Sequence, residues 1–157
     1  MRTIKLTQRT ARMLRDNLTN NQDGYDYVDL CRLDHLAKKL TVLQGAYSER
    51  MAELAREEKS IRRQLVRDGD LESANRKLGL LTYEVEDLHE AAEEVEVELK
   101  VEDGDHKLIS NKLEMVGHWL GSDEMRHLVI SMVESVRNAE SDEPAEEQVE
   151  PRSIRRR

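Results

Sequence analysis

Two stripes of apolar residues, separated by a short break, constrain the fold of this chain more than any other feature. The first stripe begins near Val28 and alternates four- and three-residue spacings. Its ten members are Leu33, Ala37, Leu40, Gln44, Tyr47, Met51, Leu54, Glu58, Ile61 and Leu65, of which two, Gln44 and Glu58, are polar. The members of the second are Leu71, Ala74, Leu78, Leu81, Val85, Leu88, Ala92 and Val95. Such spacing is typical of helices that pack along a partner helix.

The break between the stripes, Arg67-Asp68-Gly69-Asp70, is suited to a tight turn. Gly69 tolerates the left-handed conformation that often ends a helix, and Asp70 can cap the next helix. Since a short connection favours antiparallel neighbours, we predict a helical hairpin over residues 28–95 with its tip at 67–70. Its first arm, from Val28 to Val66, would be about 58 Å long at about 1.5 Å per residue.

The second stripe supplies the residues expected to form the hairpin seam. The five positions predicted to make interactions there are Leu71, Leu78, Leu81, Val85 and Leu88. An apolar side chain on this face is stabilised only when another helix covers it. A projecting hairpin exposes much surface, and the chain has one Trp, four Tyr and no Phe. We therefore expect part of the stripe to need a neighbouring chain, and predict an oligomer.

Two short segments flanking the hairpin have the period of strands. Thr3–Thr7 and Val97–Val101 alternate polar and apolar residues. An isolated strand leaves its backbone groups unsatisfied, so we expect the two segments to pair. Helices are predicted after each strand, from Thr7 to about Leu18 and from about His106 to Trp119. A last helix is predicted after Gly121, with Ser122 at its start.

These elements define the predicted fold class. It is mainly α: a long antiparallel helical hairpin, or coiled coil, on a small base with two short β-strands and three helices. Residues 1–140 are expected to form a single helical domain, with the base built from 1–27 and 96–140. Residues 141–157 contain both prolines and almost no apolar side chains, so we expect a disordered, charged tail. The tail is acidic up to Glu150, and its basic end comprises Arg152, Arg155, Arg156 and Arg157.

Composition narrows the classes of partner. With 25 basic and 33 acidic residues the formal net charge is −8, which argues against a general nucleic-acid binder. Nucleic-acid contact is expected only through the arginines of the tail. No apolar run approaches the ~20 residues that span a bilayer, so no membrane contact is expected. The first residues lack the apolar region of a secretory signal, which predicts a place in a virion or the cytoplasm.

The most unusual charge feature is an acidic band between Glu84 and Glu98 that contains no Lys or Arg. The members predicted to make interactions are Glu84, Glu86, Asp87, Glu90, Glu93 and Glu94. Like charges one helical turn apart weaken a helix, and Lys38 and Lys39 on the opposing arm answer only part of this charge. The band is either a solvated face or an electrostatic contact surface for a basic partner, such as the arginine tail of a neighbouring copy.

Two histidine-containing groups have alternative interpretations. His89-Glu90 begins like the helical zinc-protease motif but lacks a histidine four residues on, so we expect a solvated helix residue. Cys31 and His35 lie one helical turn apart and could supply two metal ligands, or pack near the hairpin base. With one cysteine in the chain, a Cys-rich zinc site and an internal disulfide are excluded.

The acidic residues at the predicted tip form a third group. Asp68, Asp70 and Glu72 resemble, in shape only, the acidic hairpin tip of bacterial transcript-cleavage factors, whose hairpin is N-terminal rather than internal. The structural alternative is a polar turn with a helix cap. We predict no catalytic residue, no metal site and no cofactor, and hence a protein that is not an enzyme. Loss of an activity on replacing His89 or Cys31 would contradict this prediction.

Over residues 1–140 the chain resembles small helical accessory proteins of tailed-phage virions. The features that carry the resemblance are Thr3-Ile4-Lys5-Leu6-Thr7 leading into a helix, the hairpin, and the closing helices around Gly117-His118-Trp119-Leu120-Gly121. The resemblance implies an oligomeric component associated with a capsid, connector or tail. Its partners would be other copies of itself or other virion proteins.

The alternative hypothesis is a small acidic regulator. An acidic hairpin could occupy a groove of a host nucleic-acid-processing complex that normally holds phosphates. The two hypotheses differ in an observable way. A virion component co-purifies with particles at fixed stoichiometry, whereas a regulator is absent from particles and binds one host complex.

Overall fold

The computed structural model describes residues 1–20, 22–116 and 122–141, within which the chain forms six helices and three strands. In chain order the elements are β1 (Arg2–Thr7), α1 (Gln8–Thr19), α2 (Tyr27–Gln44), α3 (Ala46–Asp68), α4 (Leu71–Glu93), β2 (Glu96–Val101), α5 (Asp103–Val116), α6 (Asp123–Arg137) and β3 (Glu140–Ser141). The predicted mainly α class with a small antiparallel sheet is confirmed. The predictions for 117–121 and for the tail beyond Ser141 lie outside the described residues.

The two predicted strands pair with each other. β1 is the middle strand and runs antiparallel to β2, with Ile4 opposite Leu99 and Leu6 opposite Val97. The two-residue strand β3 pairs with Arg2 and Thr3 on the other side of β1. This third strand was not predicted, because two residues are too few to show a period of two.

The base surrounds one buried cluster. Alternate β1 residues point into it, where Ile4 is fully buried and Leu6 is 4% exposed. Thr7 begins α1 with a reciprocal pair of hydrogen bonds to Thr10, a capping box that fixes where strand becomes helix. Each neighbouring element adds at least one side chain that is at most 2% exposed: Leu14, Leu18, Leu33, Leu36, Leu40, Leu99, Ile109 and Met132.

The predicted first arm of the hairpin, Val28–Val66, is two helices rather than one. Gly45 ends α2 with φ 55° and ψ −134°, a conformation that only glycine adopts readily. Up to Gln44 the stripe packs into the base, chiefly against α1, and from Tyr47 onward it faces α4. The prediction of one uninterrupted helical arm was therefore wrong. The periodicity continues through Gly45 because both halves need one buried face.

As a consequence, the described part of the base contains four helices, not three. α2 joins α1, α5 and α6, and the hairpin consists of α3 and α4 alone. Gln44, one of the polar members of the stripe, is fully buried in this arrangement, and its side-chain nitrogen donates to the carbonyl of Leu40 at 3.1 Å.

The turn of the hairpin follows the sequence prediction. Gly69 adopts the left-handed conformation (φ 69°, ψ 12°), and its amide donates to the carbonyl of Leu65 at 2.8 Å. The carboxylate of Asp70 accepts from the amide of Ser73 at 3.1 Å and caps α4. Asp68 accepts from the amide of Asp70 at 3.0 Å, which lowers the pKa of its carboxyl group. The acidic tip is thus a capped polar turn.

Burial along the seam is uneven. Tyr47, Leu54, Ala74 and Ala92 are buried, whereas Leu78, Leu81, Val85 and Leu88 are half-buried. The prediction that Leu71 packs in the seam was wrong, since 59% of it is exposed. It is the first residue of α4 and follows the turn directly, where little of α3 extends beyond it.

Candidate protein interface on the hairpin

An open groove of about 410 Å³ runs between α3 and α4 near the middle of the hairpin. Its apolar floor comprises Met51, Leu54, Ala55, Leu78, Leu81 and Val85. Polar side chains lie along it: Glu58, Arg62, Thr82 and Glu86 of the hairpin, and Arg12 of α1, which closes the end of the groove nearest the base. Three of the five predicted seam residues therefore line the groove.

The groove exists because two helices cannot cover their own seam at this level. Position 58 in the stripe holds an exposed glutamate instead of an apolar residue, and Ala55 has a small side chain. Glu58 forms an ion pair with Arg62 at 3.3 Å on the same helix instead of crossing to α4. The apolar floor is therefore accessible to another molecule.

On α4, Glu84 of the acidic band binds across the hairpin to α3. Its carboxylate accepts from Nε of Arg50 at 2.6 Å, and Arg50 also donates to Glu53 at 2.8 Å. These two hydrogen bonds raise the pKa of the Arg50 guanidinium. The pair joins α3 to α4 beside the groove.

A polar cluster joins the hairpin to the base. Nδ1 of His89 lies 2.9 Å from the hydroxyl oxygen of Tyr47, which is 6% exposed. The guanidinium carbon of Arg12 in α1 lies 6.0 Å from the centre of the Tyr47 ring. The prediction that His89 is a solvated helix residue was wrong: it is half-buried and hydrogen-bonded to the other arm.

Charge around this cluster is balanced by residues from three helices. Arg9 of α1 forms ion pairs with Glu93 of α4 and, at 3.3 Å, with Glu124 of α6. Burial, followed by the charges of Arg9 and Arg12, lowers the pKa of His89, and Glu93 and Glu124 oppose this shift. Burial also raises the pKa of Tyr47, against the effect of Arg12. Through Arg9, these ion pairs connect α4 of the hairpin to α1 and α6 of the base.

The structure divides the predicted acidic band. Glu84 and Glu93 are paired with arginines, whereas Glu86, Asp87, Glu90 and Glu94 are exposed. Lys38 and Lys39 do not face the band: Lys38 pairs with Asp34 at 3.1 Å, and Lys39 donates to a backbone carbonyl of β2. The band and the basic tail are not brought together in the described residues, because Arg152, Arg155, Arg156 and Arg157 lie outside them.

Cys31 and His35 are exposed on α2, so the prediction that they pack near the hairpin base was wrong. Within the described residues, no group of three or more His, Cys, Asp or Glu side chains is placed to hold a metal ion. No helix in the described part of the chain is both long and apolar enough to cross a bilayer.

The sequence interpretation missed how charge is divided along the hairpin. We define the distal half as residues 59–77 and the proximal half as 46–58 with 78–93. The distal half contains six basic and three acidic residues, a net charge of +3; the proximal half contains nine acidic and two basic residues, a net charge of −7. The division is not apparent when the charges of α3 and α4 are summed separately, because each helix runs through both halves.

The hairpin thus presents an apolar groove between a basic and an acidic half. Comparison with known proteins adds nothing to this description, since no family model, curated protein or solved structure matches the chain.

Proposed function

We propose that this protein is a non-enzymatic structural or interaction protein that binds other proteins through its hairpin. The observation that carries the proposal is the groove over Leu78, Leu81 and Val85, where seam side chains remain half-buried beyond the base. Covering apolar surface contributes about 25 cal/mol per Å², so a partner helix laid into this groove gains stability.

The more specific proposal is an oligomeric component of a phage particle, associated with its capsid, connector or tail. In support, the Tyr47–His89 hydrogen bond joins the two arms of the hairpin at its root, and the Arg9–Glu93 ion pair connects α4 to α1 of the base. A projecting element with a partly uncovered apolar face suits contacts repeated many times in an assembly. Its partners would be other copies and other virion proteins.

A pair of matched variants tests the use of the groove. Ala55→Glu places a carboxylate on the groove floor, while Ser60→Glu adds the same charge to an exposed position 140° further around the same helix. Both positions are exposed in α3, so both variants are expected to fold. We expect Ala55→Glu alone to reduce incorporation into purified particles, measured by quantitative mass spectrometry. Equal incorporation of both variants would contradict the role of the groove.

The alternative proposal is a small acidic regulator of a host nucleic-acid-processing complex. The observation that favours it is the exposed acidic surface of α4, where Glu86, Asp87 and Glu90 form none of the ion pairs of the described residues. A row of free carboxylates can occupy a surface that binds phosphates. Absence from particles, together with capture of one host complex that is lost in Glu86→Lys, would favour this alternative.

A further inference from the structure

The groove lies at the boundary between the two charged halves of the hairpin. α3 and α4 each contain 23 residues, and the groove residues Glu58, Leu81 and Thr82 lie near the middle of these helices. A rotation of 180° about an axis through the groove would therefore exchange the proximal and distal halves.

Much of the charge on both halves is uncompensated. Among the described residues, Arg62 is the only distal basic residue in an ion pair, leaving Lys59, Arg63, Arg67, Arg76 and Lys77 outside any pair. In the proximal half, Glu49, Glu86, Asp87 and Glu90 likewise form no ion pair within the described part of the chain. Each half therefore offers free charge of the sign that the other half lacks.

We propose that the occupant of the groove is the hairpin of a second copy of this chain, packed antiparallel about a two-fold axis through the groove. The proposal rests on the proposed function, because it names the partner of the same surface. The apolar floors of two copies face each other at the axis, and the distal half of each copy covers the proximal half of the other. The product is a four-helix interface built from two hairpins.

The size of the hairpin face is sufficient for this role. A helix of 23 residues is about 35 Å long, so a face two helices wide covers roughly 700 Å². Stable protein pairs typically bury about 800 Å² on each partner. Since α1 covers this face around Tyr47 and His89, the part of the face left free is smaller than that and supplies most, not all, of a standard interface.

Charge selects the antiparallel orientation over the parallel one. In a parallel pair the net charge of −7 on one proximal half would face −7 on the other, whereas the antiparallel pair sets −7 against +3 at both ends. Two-fold symmetry then repeats every favourable contact.

The first experiment measures self-association of the full chain by sedimentation equilibrium. We expect a dimer whose dissociation constant rises about tenfold or more in Lys59→Glu/Arg63→Glu at about 50 mM salt, with a much smaller rise at about 1 M salt. The matched control, Lys38→Glu/Lys107→Glu, alters the net charge equally but on α2 and α5 of the base. We expect it to change the dissociation constant much less. Equal effects of the two pairs would overturn the proposal.

The second experiment measures orientation. In a Cys31→Ser background, a spin label is attached at Val66→Cys, a position 86% exposed in the distal half. Val66 lies about nine residues from the middle of α3, so antiparallel packing places the two labels roughly 27 Å apart along the bundle, and parallel packing places them side by side. A short label-to-label distance by pulsed electron resonance would overturn the antiparallel arrangement.

Truncation after Glu150 separates this proposal from docking of the arginine tail on the acidic band of a neighbour. We expect the truncated chain to dimerise with an unchanged dissociation constant, and a loss of dimerisation would overturn the inference. A monomer at about 100 µM would also overturn it. That result would leave the proposed function standing if Ala55→Glu still reduced incorporation into particles, so the two failures are distinguishable.

Discussion

The base and the hairpin use the same helical spacing of apolar residues with different results. In the base, Leu33, Leu36 and Leu40 of α2 are fully buried because α1 and the sheet surround them. In the hairpin, Leu78, Leu81 and Val85 of α4 face a single helix and stay half-buried. Periodicity therefore indicates which face of a helix is apolar, while burial depends on how many neighbours that face meets.

This difference divides the molecule by the source of its stability. The base buries enough surface to be stabilised by its own packing. The hairpin depends on one helix–helix contact, the Arg50–Glu84 pair and the cluster around Tyr47. Substitutions in the base are therefore expected to change the free energy of unfolding more than substitutions in the hairpin.

The largest effect is expected from a cavity in the base. Leu36→Ala removes a fully buried side chain and should lower the free energy of unfolding by about 2–5 kcal/mol. Leu78→Ala, the matched change in the half-buried seam, should cost only about 1–2 kcal/mol. Urea denaturation followed by circular dichroism measures both. Equal losses would show that the seam is as well covered as the base.

The next effect concerns the junction between the two regions. Gly45→Ala forces a Cβ-bearing residue into φ 55° and ψ −134°, and should lower the free energy of unfolding by about 1–3 kcal/mol. Gly79→Ala is the matched control: this glycine is inside α4 with open space around it, so alanine should add about 0.5–1 kcal/mol. Thermal melts compare the two variants. A stabilised Gly45→Ala would mean that α2 and α3 can join into one helix.

A smaller effect is expected from pH at the root of the hairpin. Burial and the charges of Arg9 and Arg12 lower the pKa of folded His89, against Glu93 and Glu124. The unfolded chain therefore takes up the proton first as the pH falls. The stabilisation is complete above about pH 6.5 and declines below it, until the pH passes the pKa of the folded state.

His89→Gln retains a partner for Tyr47 but does not titrate, so it should flatten the decline in the free energy of unfolding between about pH 6.5 and 5. His35→Gln, at an exposed position on α2, is the matched control. Urea denaturation across this pH range measures the slope for each. An unchanged slope in His89→Gln would show that protonation of His89 does not affect the free energy of unfolding.

The smallest effect is expected from the partly exposed ion pair across the hairpin. Arg50→Ala removes its hydrogen bonds to Glu84 and Glu53 and should lower the melting temperature slightly at low salt, with less difference at high salt. Arg56→Ala, on the same helix and in no ion pair of the described residues, is the control. Identical melting of the two variants would show that apolar contact alone joins α3 and α4.

Some features of the site could be predicted from local sequence and others could not. Gly69 and Asp70 act within one turn, so the hairpin tip was predictable from the residues themselves. The Tyr47–His89 hydrogen bond joins residues 42 positions apart and depends on the crossing of two helices. Lys112 shows the same limit: it lies in a predicted helix, yet it is 1% exposed and donates to the carbonyl of Asn20.

Local sequence patterns were enough to predict the helical class, the two strands that pair, the capped turn at 69–70 and the apolar face of each hairpin helix. These depend on period, capping and backbone freedom, which act over a few residues. The division of the stripe at Gly45, the exposure of Leu71 and the open groove above Leu81 follow from tertiary packing. Burial depends on neighbours from distant parts of the chain, and a helix of one period serves equally as core or as surface until those neighbours are in place.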